Sequence, residues 1–191
     1  MNTLFPIFVK LDQINVLVVG AGPIGLEKLQ AIMRNSPAAN VHLVAEEIQA
    51  DVLNFIQDKS SIHLSHRAFQ ASDLDGVGLV VLATNNAILN EEIRVLTAAR
   101  HILLNVADKP ALCDFYLSSV VQKGNLKVAI STNGKSPTIA KRLKEFLQDM
   151  LPEEIDETLS LMQEMRDQLK VDFQTKVKLL NEHTQELVAK K

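Results

Sequence analysis

The chain has 191 residues, of which 47% are hydrophobic and 23% are charged, a composition typical of a folded globular protein and not of a disordered or fibrous one. A formal net charge of -3 provides no positive field for nucleic acid, and the single cysteine, Cys113, excludes an internal disulfide or a cysteine-built metal site. No apolar run reaches transmembrane length, and residues 1–10 lack the pattern of a signal peptide. We therefore expect a cytoplasmic protein with neither nucleic acid nor membrane as a partner.

The first predicted strand, residues 14–19, leads directly into a glycine-rich turn. The turn reads Gly20-Ala21-Gly22-Pro23-Ile24-Gly25, a complete G-x-G-x-x-G, and a helical pattern follows it to Arg34. In such a loop the first glycine permits the tight turn, the second lets the backbone approach a pyrophosphate, and the third lets the helix pack closely on the strand. The positive N-terminal end of the helix attracts the phosphates. The pattern therefore predicts a dinucleotide site.

The rest of the first half of the chain alternates between strand and helix patterns. A second helical pattern spans residues 88–99, and four further apolar runs of strand length lie at residues 41–45, 62–64, 79–83 and 102–106. Continuous apolar strands separated by helices are typical of a parallel sheet buried on both faces. Right-handed crossovers favour the order 3-2-1-4-5, with the ligand crevice at the carboxyl ends of the first and fourth strands. We therefore expect a Rossmann-like α/β domain over residues 1–110.

Glu46 lies at the end of the second predicted strand, about 20 residues beyond Gly25. An acidic residue at this place accepts hydrogen bonds from the ribose hydroxyls of NAD. A carboxylate repels the 2′-phosphate of NADP, and no Arg or Lys lies between Arg34 and Lys59 to offset it, so the sequence favours NAD. The alternative is that Glu46 and Glu47 begin the next helix, where acidic residues are also favoured.

Asp108 follows the fifth predicted strand. A carboxylate at the carboxyl end of a parallel strand lies beside the expected nicotinamide position and can accept a proton. The alternative is that Asp108 only caps the turn into Lys109 and Pro110. The Tyr-x-x-x-Lys pair of short-chain dehydrogenases is absent, because the only tyrosine, Tyr116, is followed four places later by Val120. The five histidines lack metal-ligand spacing, so we expect them to be structural and expect no resident metal.

The alternation of strands and helices stops after Pro110. Residues 115–121 and 126–131 predict a hairpin around the turn Lys123-Gly124-Asn125. Ser136 is a good N-cap and Pro137 a good first residue for a helix that runs to about Met150. The side chains that we expect this helix to bury are Ile139, Ala140, Leu143, Phe146 and Leu147.

Pro152 is predicted to open a last amphipathic helix that continues to Lys190 and Lys191. A lone hairpin and long amphipathic helices cannot easily bury their own apolar residues, so we expect residues 111–191 to pack against a second copy of the chain. A monomeric helical cap is the alternative. We divide this half into a small α+β dimerisation region, residues 111–150, and a helical C-terminal region, residues 151–191.

With these motifs in view, the chain resembles the precorrin-2 dehydrogenase family, which includes bifunctional dehydrogenase–ferrochelatases and the N-terminal half of sirohaem synthase. The resemblance covers essentially the whole chain, and the order and spacing of its segments is more specific than the glycine loop alone. Besides that loop, the segments are Leu4-Phe5-Pro6-Ile7-Phe8, Asp73-Leu74-Asp75-Gly76, Ala83-Thr84, Asn90, Asn105-Val106-Ala107-Asp108, Cys113-Asp114-Phe115, and residues 129–137 with Ala140 to Leu143.

The resemblance implies NAD-dependent oxidation of precorrin-2, a tetrapyrrole, to sirohydrochlorin in sirohaem biosynthesis, followed in some members by insertion of Fe²⁺. It implies a homodimer, and it places the catalytic aspartate at Asp108. The residues implied at the cofactor are Gly20, Ala21, Gly22, Pro23, Ile24, Gly25, Glu46, Thr84, Asn85 and Val106. Those expected at the substrate are Asn105, Thr132, Gly134, Lys135 and Ser136.

Two sites depart from the family pattern. Asn85-Asn86 stands where many relatives have acidic residues, and Asn133 stands where many have a glycine. We expect the first to alter contacts near the nicotinamide and the second to stiffen the substrate loop. The alternative function is a non-catalytic, NAD-sensing regulatory domain, in which Asp108 would be dispensable.

Overall fold

The computed structural model describes residues 2–184 and divides into two compact units, which meet in sequence after Leu117. The first unit therefore extends a few residues beyond Pro110, where the sequence pattern changes. The finer division into three regions stays a prediction.

The first unit is a five-stranded parallel sheet in the order β3-β2-β1-β4-β5, with helices in the crossovers. The strands are β1 Asn15–Ala21, β2 Val41–Ile48, β3 Ile62–His66, β4 Val77–Leu82 and β5 Leu103–Val106. The helices are α1 Pro23–Asn35, α2 Ala50–Ile56 and α3 Ala87–Ala99, with single 3₁₀ turns at Ala71–Leu74 and Pro110–Leu112. The strand order and the Rossmann-like α/β fold expected from the sequence are confirmed.

Both faces of this sheet are buried, which explains the continuous apolar strands. On one face Val16, Val18 and Leu43 pack with Leu29 of α1. On the other face Leu17, Val80 and Leu104 pack with Ile93 of α3. Full burial of such a side chain contributes about 1.5–3 kcal/mol each. The sheet interior therefore contributes to stability, and the polar side chains available for chemistry lie in the loops at its edges.

The second unit contains the antiparallel strands β6 Ser119–Lys123 and β7 Leu126–Ile130, followed by the helices α4 Pro137–Met150, α5 Ile155–Gln168 and α6 Phe173–Thr184. Helix α4 packs on the hairpin. The hairpin turn is tied to the first turn of α5, because the Asp156 carboxylate accepts hydrogen bonds from the backbone N–H and the Nδ2 of Asn125, at 2.6 and 2.9 Å.

The hairpin begins later than expected. Its first strand starts at Ser119, because Phe115 packs against the core of the first unit and is not free to pair with β7. The prediction that the strand begins at residue 115 is therefore wrong.

The single long helix predicted from Pro152 is also wrong, since the segment forms two helices. The backbone leaves helical geometry at Leu169, with φ -68° and ψ 107°. The Asp172 carboxylate then accepts hydrogen bonds from the N–H groups of Gln174 and Thr175, at 3.0 and 3.1 Å, and so caps the start of α6. The predicted helix end at Lys190 and Lys191 lies outside the described residues.

Helix α4 has the predicted start and end, and within a single chain it buries only part of the predicted set. Ala140 is buried, whereas Ile139 is 54% exposed and Phe146 61% exposed, and Leu143 is exposed as well. Helical geometry explains the difference, because Ala140 and the half-buried Leu147 lie on one stripe, while the exposed residues form a neighbouring stripe about 100° away around the helix axis. The first stripe is thus the more buried of the two.

An ion pair between the buried Asp73 and the partly exposed Arg67 fixes the loop after β3. The side chain of Asp73 is almost fully buried, and its carboxylate accepts two hydrogen bonds from the Arg67 guanidinium, at 2.5 and 2.9 Å, and one from the Gln70 N–H at 2.8 Å. Mainly through the Arg67 hydrogen bonds, the pKa of Asp73 is held below its ordinary value.

We expect Asp73→Asn to lower the free energy of unfolding at pH 7 by about 2 kcal/mol, because charged hydrogen bonds are lost. Since the folded-state pKa is lowered, the stabilisation is present above the unfolded-state pKa of about 3.9 and is lost as the pH falls through the folded-state value. Urea unfolding at neutral and acidic pH should show the difference between wild type and variant shrinking in acid. Asp75→Asn, at an exposed neighbour, is the control, and an equal loss in that variant would contradict the assignment.

Candidate dinucleotide-binding site

The three glycines of the loop meet three different constraints. Gly20 has a φ of +104°, and a Cβ there would lie 2.6 Å from the carbonyl oxygen of Ala83 at the end of β4. A Cβ on Gly25 would overlap the carbonyl oxygen of Gly20, because α1 begins directly above the turn. A Cβ on Gly22 would meet no atom within 4 Å. Gly20 and Gly25 are thus required by packing, whereas Gly22 faces open space of the kind that a pyrophosphate needs.

The N-terminus of α1 is free to receive an anion. Its N-cap is Gly22, no side chain caps it, and its first turn contains no acidic residue. At α3, by contrast, Asn86 accepts a hydrogen bond from the Leu89 N–H, and at α4 Ser136 caps the helix in the same way. The first N–H groups of a helix have no partners within it, so those of α1 remain available for phosphate oxygens. These residues fit the pyrophosphate of a dinucleotide.

Glu46 lies inside β2, close to the carboxyl end of that strand, and it is exposed. The alternative that it begins the next helix is wrong, because β2 stays paired to β1 as far as Ile48, opposite Ala21, and α2 begins only at Ala50. Its backbone carbonyl accepts a hydrogen bond from His66 Nε2 at 2.9 Å, provided that this nitrogen carries the proton. Glu46 therefore lies at the edge of the sheet where β1 ends.

The loop between β4 and α3 carries Thr84 and Asn85 and is held by Asn90. The Thr84 hydroxyl donates to Asn90 Oδ1 at 3.1 Å and accepts the Asn86 N–H at 3.1 Å, while Asn90 Nδ2 donates to the Thr84 carbonyl at 3.2 Å. Asn90 is only 1% exposed, and Asn85 is exposed. In the sequence Asn90 belongs to the segments that carry the family resemblance, and it is a polar residue three positions before Ile93 on the apolar stripe of α3.

Asp108 occupies the third position of a four-residue turn that follows β5, closed by the Lys109 N–H donating to the Val106 carbonyl at 3.3 Å. Its φ is +57°, in the left-handed region that favours glycine or asparagine at this position. The Ala107 N–H donates to the Leu82 carbonyl at 2.9 Å, so the turn begins beside the end of β4. The side chain is exposed, and the backbone rather than the carboxylate closes the turn. The predicted base therefore lies at the same edge of the sheet as the glycine loop.

Asn105 and Val106 lie beneath this turn instead of on its surface. Both are buried, and Asn105 Nδ2 donates to the carbonyl of Phe115 at 2.8 Å. The side-chain amide of Asn105 therefore already donates a hydrogen bond within the protein. Its direct contact with a substrate stays a prediction that would require this hydrogen bond to open.

The predicted substrate loop lies in the second unit. Thr132 Oγ1 accepts the Ser136 N–H at 3.2 Å and donates to the Ser136 carbonyl at 3.1 Å, which closes the loop. Asn133 and Gly134 both have left-handed backbones, with φ values of 53° and 73°. Lys135 and Gly134 are exposed, whereas the hydroxyls of Thr132 and Ser136 are used within the loop and at the helix cap.

The described residues contain no group of three or more His, Cys, Asp or Glu side chains placed to hold a metal ion. Within residues 2–184, no helix is long and apolar enough to cross a membrane. The cytoplasmic location expected from the sequence stays a prediction.

The parallel sheet, the glycine loop and the uncapped helix that follows it together define a Rossmann-type dinucleotide-binding protein. Residues 7–119 match a family model described as putative NAD(P)-binding, and the chain belongs to that family. Residues 123–150 match a second model, described as the central part of a sirohaem biosynthesis protein.

Curated relatives and a solved structure agree with these matches. The chain is 34% identical over 173 residues to siroheme synthase of Vesicomyosocius okutanii, covering 91% of the chain and 36% of that protein. It is 33% identical over 165 residues to siroheme synthase 1 of Serratia proteamaculans, covering 86% and 34%. The chain thus spans about a third of the length of these curated relatives.

Among solved structures, the chain is similar to SirC, a precorrin-2 dehydrogenase, with a TM-score of 0.72 and 25% identity, covering 97% of this chain and 90% of the other. Together with the family matches, this similarity confirms the family resemblance and the NAD cofactor expected from the sequence. The individual site residues stay predictions.

We expect Gly22→Asp to weaken NAD binding at least tenfold, about 1.4 kcal/mol, because a carboxylate at the N-terminus of α1 competes with and repels the pyrophosphate. The fold should tolerate the change, since Asp is a favourable N-cap and a Cβ at Gly22 meets open space. Isothermal titration measures the affinity, and thermal unfolding of the ligand-free protein measures the stability.

Gly25→Ala provides the contrast, because its Cβ would overlap the Gly20 carbonyl and should lower the unfolding midpoint. Wild-type NAD affinity in Gly22→Asp would rule out a pyrophosphate at this helix terminus.

Proposed function

We propose that this chain catalyses the NAD-dependent oxidation of precorrin-2 to sirohydrochlorin. The observation that carries the proposal is Asp108, an exposed carboxylate held on a left-handed backbone at the edge of the sheet where the glycine loop lies. The siroheme synthases among the relatives and the precorrin-2 dehydrogenase among the solved structures support the choice of substrate.

The overall reaction removes one hydride and one proton from precorrin-2. When bound, NAD⁺ would supply the hydride acceptor. The chain's own residues then have two tasks, which are to orient the two reactants and to accept the proton. We assign the proton to the Asp108 carboxylate. The amides at the start of α1 would hold the pyrophosphate, and Glu46 would accept hydrogen bonds from the adenosine ribose, which would set the preference for NAD over NADP.

The substrate bears many carboxylates and needs local cations, although the chain's net charge is -3. Lys135 is exposed on the loop Thr132–Ser136, and its ammonium supplies the cation, because the N–H groups of Asn133, Lys135 and Ser136 already donate within the loop. We assign this loop to a substrate carboxylate. Lys141 and Lys144 lie on α4, and the simpler interpretation for both is a solvated helix face.

We expect Asp108→Asn to lower kcat for precorrin-2 at least 100-fold, the range for loss of a general base, and to leave the Kd for NAD unchanged within about twofold. The amide keeps the size of the carboxylate and tolerates the same left-handed backbone. NADH formation at 340 nm measures turnover, and isothermal titration measures NAD binding.

Asp75→Asn, at an exposed carboxylate away from the predicted crevice, should keep wild-type turnover. Full activity in Asp108→Asn would remove Asp108 as the base. A wild-type protein that binds NAD and does not oxidise precorrin-2 would instead favour the sensory function over the enzymatic one.

Iron insertion is a separable extension of the proposal. Metallation of sirohydrochlorin releases two pyrrole protons, and Asp108 is the group that would accept them. The metal's ligands would be the ring nitrogens of the substrate, since the described residues offer no cage of their own. Purified protein with sirohydrochlorin and Fe²⁺, followed by absorbance against a no-enzyme control, tests this step independently of the oxidation.

We also propose that the chain forms a homodimer through the exposed stripe of α4. The stripe is defined by Ile139, Leu143, Phe146 and Met150, all exposed and spaced three or four positions apart. An apolar stripe of this kind on one helix is costly to leave in water and suits an isologous contact with the same helix of a second copy.

We expect Phe146→Glu to convert the dimer to a monomer, because a charge would be buried without a partner at the centre of the stripe. Sedimentation velocity should give twice the chain mass of 21.2 kDa for wild type and a single chain mass for the variant. Gln148→Glu adds the same charge to α4 outside the stripe and should stay dimeric. A monomeric wild type would refute the proposal.

A further inference from the structure

The segment Cys113 to Phe115 runs along the outer edge of β5, the last strand of the sheet among the described elements. The Asp114 N–H donates to the Leu104 carbonyl at 2.7 Å, and the Asp114 carboxylate accepts the Leu104 N–H at 3.0 Å. Arg94 of α3 donates to the same carboxylate at 2.6 Å and holds it in place. The segment thus covers the strand edge as a sixth strand would, with a side chain replacing one carbonyl.

The Cys113 thiol continues this pairing at Val106, the residue where β5 ends. Its Sγ accepts the Val106 N–H at 3.2 Å, and it also lies 3.2 Å from the Val106 carbonyl and 3.4 Å from the Lys109 carbonyl, to which the S–H can donate. The thiol therefore contacts the chain both before and after Asp108. Burial raises the pKa of Cys113, so the sulfur keeps its proton and its role as a donor at neutral pH.

The turn that carries Asp108 needs such support. A left-handed backbone on a residue other than glycine costs about 1–2 kcal/mol and persists only where the surrounding structure imposes it. The backbone closes this turn with one long hydrogen bond, from Lys109 to Val106 at 3.3 Å. The Cys113 thiol contacts the same two residues, and its Sγ also accepts a hydrogen bond from Asn105 Nδ2 at 3.6 Å.

We propose that Cys113 is a positioning residue, whose thiol holds the turn between Val106 and Lys109 in the left-handed conformation that presents the Asp108 carboxylate. The inference rests on the proposed function, because it states which residue holds the base assigned there in position.

Two variants of Cys113 separate the effect of its hydrogen bonds from the effect of its side-chain volume. Cys113→Ala leaves the Val106 N–H without its acceptor, and we expect kcat for precorrin-2 to fall about tenfold or more, with the Kd for NAD within about twofold of wild type. Cys113→Ser restores a group that both accepts and donates, and should recover most of kcat. The matched control is Ser65→Ala, which removes one half-buried hydrogen bond, to His42 at 2.9 Å, at the opposite edge of the sheet.

A second measurement does not depend on activity. Amide hydrogen exchange over residues 106–112 should become faster in Cys113→Ala, stay close to wild type in Cys113→Ser, and be unaffected in Ser65→Ala. Wild-type exchange and wild-type kcat in Cys113→Ala would refute the inference. So would parallel losses of kcat, NAD affinity and unfolding midpoint, because these would make Cys113 a residue of general stability.

The failure of the inference is distinguishable from that of the proposed function. If Asp108→Asn is fully active, the assignment of the base fails, while the exchange data still decide whether the thiol holds the turn. If Asp108→Asn is inactive and Cys113→Ala behaves as wild type in both measurements, the base stands and the inference about Cys113 fails.

Discussion

The close approach of Gly20 to the carbonyl of Ala83 is the contact on which the candidate site depends. It lets the ends of β1 and β4 approach more closely than a side chain would allow, since a Cβ on Gly20 would lie only 2.6 Å from that oxygen. Because Gly25 also lacks a side chain, α1 begins directly above the turn and its first amides lie over the junction of the two strands. Phosphate binding here follows from backbone geometry, and no basic side chain is required.

Burial on both faces of the sheet restricts where chemistry can occur. The interiors of the central strands β1 and β4 are filled with apolar side chains, so the polar groups of the candidate site lie where the strands end. Glu46 lies near the end of β2, while Thr84 follows β4 and Asp108 follows β5, so all three are at the carboxyl edge of one parallel sheet. The sheet order places β1 and its glycine loop between β2 and β4, with β5 beyond β4. The same hydrophobic pattern that specifies the fold thus also specifies which residues meet.

Whether a feature of the fold or of the site could be predicted from the sequence depends on whether it is set by local patterns or by contacts between distant segments. The sheet order and the glycine loop could be predicted, because each depends on local patterns and on the handedness of crossovers. The break at Leu169 and the exposed stripe of α4 could not, since a helical period does not reveal a cap such as Asp172 or which stripe a hairpin will cover. The role of Cys113 was hidden for another reason. The sequence places it near Asp108, but only the structure shows its sulfur bonded on both sides of the turn.

The two loops assigned to chemistry use the same device in separate units. Each contains a left-handed residue other than glycine, Asp108 with φ 57° and Asn133 with φ 53°. In each, one side chain contacts both the N–H and the carbonyl of a single residue, Cys113 at Val106 and Thr132 at Ser136. Glycine would adopt either conformation with less strain, but it would carry no carboxylate and would leave a more mobile backbone. In both loops a half-buried side chain thus stabilises a strained, left-handed backbone, and this fixes the position of the residue assigned to chemistry.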